Sequence, residues 1–190
     1  ARRLIAGMEQ RVRALLGDVI YGVDEETLQG VVMELLRQRG ATLALVETNT
    51  LGRVAQMLTM AAKDPTLIKG SVIAPSNEAL QRSFALPAEA LANEAIYDPA
   101  KAMAVAQAAR ETYGADIGLA ILGTSGAQEG PYGQSSGYTC IGLSTAAGSA
   151  TRDYQMGGQN EVAQTWVAVR ALDTLRRHLL GLPLVPGPQA

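Results

Sequence analysis

Two short apolar runs limit the fold of this chain more than any other feature. Leu43–Val46 and Ile117–Leu122 are each the length of a strand, carry no polar alternation, and follow helical patterns that stop at Gly40 and Gly114. A run of that kind reads as a strand buried on both faces, and such strands occur where helices cover both sides of a sheet.

The helical patterns lie where that arrangement needs them. Residues 24–40 read as a helix with Asp24 as N-cap, Glu25 and Glu26 in the first turn, Arg37 and Arg39 in the last, and Gly40 beyond the end. Its inward stripe is Leu28, Val31, Val32, Leu35 and Leu36. Residues 98–114 form a second clear helix, with Asp98 as cap, Pro99 at the first helical position and Gly114 as the stop. Residues 53–62 are helical, 69–84 read as strand, turn and helix, and "LPAEAL" reads as a helical turn. Residues 160–180 form the last helix, with Val162, Trp166, Val169 and Leu172 facing inward. Between them, "YTCIGLSTA" and "ATRDYQM" read as two strands of a hairpin. At the start, Leu4, Ile5, Met8, Val12, Leu15 and Leu16 mark an amphipathic helix, followed by "GDVIYG" as a short strand or extended link. The pattern predicts an α/β fold: a three-layer α/β/α sandwich on a mixed, mainly parallel sheet with a C-terminal hairpin. Residues 1–23 are expected to be a helix and linker, in character the end of a preceding domain. Residues 24–181 are expected to be the folded domain, and 182–190 a flexible, proline-rich tail.

Composition narrows the function. Apolar residues make up 47% of the 190-residue chain and charged residues 18%, the balance of a globular domain. The net charge of −2 provides no electrostatic footprint for nucleic acid or an acidic membrane. No apolar run reaches the roughly 18 residues of a membrane span. The arginines at 2, 3, 11 and 13 read as the polar face of the first helix. The single cysteine, Cys140, reads as a small core residue, and the single histidine, His178, as a capping or surface residue with no metal partners nearby.

Three loops are expected to gather at the carboxyl ends of the strands: Glu47–Gly52, Pro75–Asn77 and the glycine-rich Gly123–Gly137. They offer the hydroxyls of Thr48, Thr50, Thr124, Ser125, Ser135 and Ser136. A hydroxyl becomes a nucleophile only with a base in reach. His178 is in the wrong element, Lys63 and Lys69 flank a turn, and Lys101 begins a helix turn read as exposed. The residues alone therefore describe a cleft without a catalytic set.

The runs "GDVIYGVDEETLQGVVMELLRQRGATLALVET", "PSNEAL", "ARETYGADIGLAILG" and "ALDTLRRHLL" resemble the C-terminal domain of the CinA family of competence/damage-inducible proteins, the nicotinamide-mononucleotide amidohydrolase type. The resemblance covers about residues 20–180, and the first helix resembles the segment that precedes this domain in two-domain members. It implies the domain's α/β fold, a site with no cofactor or metal, a small nucleotide ligand, a homo-oligomer and a cytoplasmic location.

The resemblance also implies the site residues, and here the chain departs from the family pattern. Glu-Ser-Cys-Thr-Gly-Gly is matched by Glu47-Thr48-Asn49-Thr50-Leu51-Gly52, which puts Thr48 at the position of the proposed nucleophile and Leu51 at a glycine. Tyr-Ser-Asn-Glu-Ala-Lys is matched by Pro75-Ser76-Asn77-Glu78-Ala79-Leu80, without the tyrosine and the lysine. The threonine of Thr-Gly-Ile-Ala-Gly-Pro is Leu122, ahead of Gly123. The arginine of Phe-Pro-Gly-Asp-Arg is Asn160. Losing a general base typically costs roughly 10²–10⁴-fold in rate. Losing an arginine removes a bidentate phosphate contact. Glu47, Thr50, Gly52, Ser76, Gly123 and Asn160 are the expected binding positions, with Thr48 at the degenerate catalytic one.

Three readings follow. In the first, the domain no longer hydrolyses nicotinamide mononucleotide and is kept for binding or assembly, with Leu51, Leu80 and Leu122 filling the cleft. In the second, it is an amidohydrolase acting on that nucleotide or a related amide through Thr48. In the third, it is a structural partner that associates through its first helix.

Overall fold

The computed structural model describes residues 2–87, 90, 98–124, 137–158 and 160–185. The helices are α1 (Arg2–Leu16), α2 (Leu28–Arg39), α3 (Arg53–Ala61), α4 (Asn77–Ser83), α5 (Pro99–Tyr113) and α6 (Glu161–Leu179). The strands are β1 (Leu43–Glu47), β2 (Ile68–Ile73), β3 (Ile117–Gly123), β4 (Thr139–Thr145) and β5 (Gly148–Tyr154).

The strands form one sheet in the order β2-β1-β3-β4-β5. β1 pairs parallel with β2 and β3, and β4 pairs antiparallel with β3 and β5. Four strands thus run one way and β4 alone runs back. This is the expected mixed sheet, mainly parallel in direction, ending in a hairpin. β1 and β3 are buried throughout, as their apolar runs require.

Each face of the sheet carries a core. Leu43, Leu45, Leu119, Ile121 and Ile141 pack against α2, α3 and α6. Ala44, Val46, Ala120, Leu122 and Cys140, one residue out of phase, pack against α4 and α5. The second core is thin. The inward side of α5 is mostly alanine, and a Cβ at Gly118 or Gly142 would overlap the carbonyls of Ala106 and Ala102. Glycine at both places lets the α5 backbone lie directly on β3 and β4.

Local chemistry sets the helix ends. Thr27, not Asp24, caps α2, its hydroxyl accepting from the Gly30 N–H at 3.2 Å. Asp24 sits in a turn at φ 50°. Asp98, Pro99 and Gly114 bound α5 as expected. "GDVIYG" is not a strand: Gly17–Val19 forms a 3₁₀ turn. Two inward stripes shift. In α2, Met33 is buried while Val31 and Leu35 are half-buried. In α6, Val162 and Trp166 are exposed and Val169 half-buried, whereas Val167, Ala168, Ala171, Leu172, Leu175 and Leu179 face the core. No described helix is long and apolar enough to cross a membrane. Half of "LPAEAL", the loop residues Ser125, Ser135 and Ser136, and the tail beyond residue 185 lie outside the described residues.

Candidate functional site

The carboxyl ends of β2, β1 and β3 lie side by side, since the three strands are parallel neighbours. Glu47, Thr48, Asn49 and Thr50, at the end of β1, are buried, and Glu47 and Thr48 are committed to the backbone. Glu47 ends β1 fully buried, and its two carboxylate oxygens accept from the N–H groups of Val54, at 3.1 Å, and Ala55, at 2.8 Å. It acts as the cap that Gly52, with no side chain, cannot supply to α3.

Thr48 is also buried. Its hydroxyl accepts from the Gly123 N–H at 2.9 Å and lies 3.2 Å from both the Ile121 and Gly123 carbonyls. It therefore ties the end of β1 to the end of β3. Asn49 donates to the Thr139 hydroxyl at 2.8 Å, which in turn donates to the Met156 carbonyl at 2.7 Å. A Cβ at Gly123 would strike Asn49 and Thr139, so that position is closed to side chains.

Leu51 takes φ +51°, the left-handed region, followed by Gly52 at +88°. An L side chain is strained there, and glycine is not. This is the position where the family motif has glycine.

Ser76 and Asn160, expected as binding residues, act as helix caps. The Ser76 hydroxyl accepts from the Ala79 N–H at 3.2 Å and starts α4. The Asn160 side chain accepts from the Ala163 N–H at 2.8 Å and starts α6. Arg53 pairs with Glu161 at 2.7 Å and joins the starts of α3 and α6. Two buried side-chain atoms at this edge, the Asn49 amide oxygen and the Thr50 hydroxyl, have no hydrogen-bond partner among the described residues. Such atoms are uncommon in native folds.

Of the three leucines expected to fill the cleft, Leu80 and Leu122 are fully buried in the second core. Leu51 is half exposed, carried outward by its left-handed backbone.

Lys101 corrects the sequence reading. Its side chain is not exposed but fully buried, and the amine donates to the Asn77 side-chain oxygen at 3.0 Å. Burial lowers its proton affinity and Asp98 partly restores it. The signal was present in the sequence: Lys101 stands on one helical stripe with Val105 and Ala109, both buried. Cys140 is the expected core residue, and burial raises its thiol pKa well above the ordinary range. His178 is half-buried, its proton affinity lowered by burial and then by Arg39. Among the described residues no group of His, Cys, Asp and Glu could hold a metal.

The sequence model of the CinA C-terminal domain matches residues 25–179. The chain belongs to the CinA family. It is 34% identical over 180 residues to a CinA-like protein of Geobacter sulfurreducens, covering 95% of this chain and 44% of that one. It is 30% identical over 181 residues to a putative competence-damage inducible protein of a Thermoanaerobacter species, with the same coverage. The chain thus spans less than half the length of these CinA relatives. Among solved structures, a CinA superfamily protein from Klebsiella pneumoniae superimposes with a TM-score of 0.70 at 23% identity, over 81% of this chain and 96% of that one. A further one from Escherichia coli gives 0.70 at 19% identity. Both share the α/β fold of this CinA domain.

Proposed function

We propose that this CinA domain binds a small nucleotide without hydrolysing its amide, and that it serves as a binding or assembly unit, homo-oligomeric and cytoplasmic. The observation that supports this most is the Thr48 hydroxyl. It is held in the β1–β3 junction by the Gly123 N–H and faces two backbone carbonyls. Freeing it for attack would leave a buried N–H unsatisfied, a loss of about 1–3 kcal/mol. Burial of Leu80 and Leu122 in the apolar core points the same way. The Asn49 side-chain oxygen and the Thr50 hydroxyl, without partners among the described residues, support retained binding, since a ligand could satisfy them.

The test is to incubate the chain with nicotinamide mononucleotide and follow ammonia and the deamidated product. No turnover is expected, and turnover at an ordinary enzymatic rate overturns the reading. The buried lysine favours one second reading, an amidohydrolase that uses Thr48. In that case Thr48→Val abolishes a measurable turnover that the unmodified chain possesses.

A further inference from the structure

Two features of this domain match each other but do not meet within one chain. The first is α1. Met8, Val12 and Leu15 stand at helical spacing on one face, between 46% and 72% exposed, and every described side chain from Gly7 to Leu16 is exposed. A helix of 15 residues with no packed face is marginal in water. The turn after it is nevertheless fixed: Arg177 donates to the Asp18 carboxylate at 2.8 Å and Arg176 to the Asp18 carbonyl at 2.6 Å. α1 is thus held at one end and presents an apolar stripe.

The second is a groove of about 500 Å³ lined by α2, the end of α3 and the residues leading into β2. Tyr21, Val31, Leu35 and Leu67 supply its apolar wall, and Val31 and Leu35, four apart on α2, are only half-buried. Its charged lining is Glu25, Glu26, Glu34 and Asp64 against Arg37 and Lys63. α1 carries the opposite excess, Arg2, Arg3, Arg11 and Arg13 against Glu9. Arg11 follows Met8 by three and precedes Leu15 by four, so it borders the stripe. Helix and groove therefore match in apolar character and in charge. Two α1 helices laid face to face would instead bring like charges together. With its side chains exposed, α1 does not occupy its own groove.

We propose that α1 of one copy docks its Met8, Val12 and Leu15 stripe in the α2–α3 groove of a second copy, which returns its own α1. The proposal rests on the homo-oligomeric reading above and gives that assembly its surface. One face of a helix about 22 Å long is small beside the roughly 1,200–2,000 Å² of a stable interface, and reciprocal exchange doubles it.

Charge exchange tests this by light scattering over a concentration series, with thermal melts confirming that each chain folds. One variant reverses the helix, Arg11→Glu/Arg13→Glu, and another the groove, Glu25→Arg/Glu26→Arg, all at exposed positions. The unmodified chain is expected to dimerise, and each variant alone to dimerise at least tenfold more weakly. An equimolar mixture of the two is expected to recover the unmodified affinity, because in the mixed pair each helix meets a groove of opposite sign. Met8→Glu, which alters only the apolar stripe, is expected to weaken the dimer at least tenfold as well. A groove variant that dimerises like the unmodified chain overturns the groove as the docking site. A mixture that stays monomeric overturns the reciprocal exchange. A dimer that every variant leaves intact overturns the proposal and leaves the homo-oligomeric reading standing. An unmodified chain that is monomeric throughout overturns both.

Discussion

At the scale of single residues, the carboxyl edge of the sheet is built from polar side chains that serve the backbone. Glu47 caps α3, Ser76 caps α4, Asn160 caps α6 and Thr48 joins two strands. Leu51 is the exception, because its backbone conformation is one that glycine adopts freely. The left-handed region costs an L residue about 1–2 kcal/mol, and the added freedom of glycine in the unfolded chain returns about 0.5–1 kcal/mol of that. Half exposed, the Leu51 side chain contributes little packing to set against the strain. Leu51→Gly is therefore expected to stabilise the domain by about 0.5–1 kcal/mol, a rise of roughly 1–4 °C in melting temperature for a chain of this size. Chemical denaturation and a thermal melt check this, and a lower midpoint in both would show that Leu51 has a packing role its exposure does not reveal.

At the scale of elements, the strands and most helix ends were legible in the sequence, and the buried faces were less so. Apolar runs announced β1 and β3, and Asp98, Pro99 and Gly114 bounded α5. The face of α6 was misread because Val162, Trp166 and Val169 recur at helical spacing ahead of Leu172, although Val167 and not these faces the core. The core accepts alanines there, and it tolerates Arg176 and Arg177 because carboxylates meet them. Arg177 donates to the Asp18 carboxylate at 2.8 Å, and Arg176 donates to the Asp18 carbonyl at 2.6 Å and to Asp173 at 2.7 Å. These bonds fasten the 3₁₀ turn after α1 to the end of α6. The hydrogen bond from Arg177 lowers the proton affinity of Asp18 below its ordinary 3.8. Since the folded value is the lower one, the contribution is complete above about pH 4 and fades as the pH falls through the lowered value. Asp18→Asn is expected to melt below the unmodified chain at neutral pH, with the gap narrowing as both are acidified below about pH 4. A gap of constant width from pH 7 to pH 3 would show that the carboxylate charge does not hold this turn.

At the scale of the whole molecule, the layering was legible and the closeness of one layer was not. Periodicity shows that α5 covers the sheet, but small residues do not announce how near a helix lies. Gly118 and Gly142 do so only once their positions beneath Ala106 and Ala102 are known. Lys101 was read as exposed because it is charged and in the first turn of α5, yet its side chain is fully buried and reaches Asn77. Gly142→Ala tests the close approach of α5 directly. The new methyl group would meet backbone, which cannot swing away as a side chain end can, so α5 must lift at its first turn. Overpacking typically costs about 1–3 kcal/mol and occasionally more, and a clash against main chain belongs at or above the upper end. The damage should be local before it is global. Amide exchange should quicken first in α5 and β4, while α2 and α3, packed on the opposite face, keep their protection until the domain unfolds as a whole. Gly7→Ala serves as the control, since a Cβ there meets nothing within 4 Å and alanine suits a helix better than glycine. Equal losses of protection on both faces of the sheet in Gly142→Ala would mean that the two cores unfold as one unit, and that α5 has no independent freedom to move against β3 and β4.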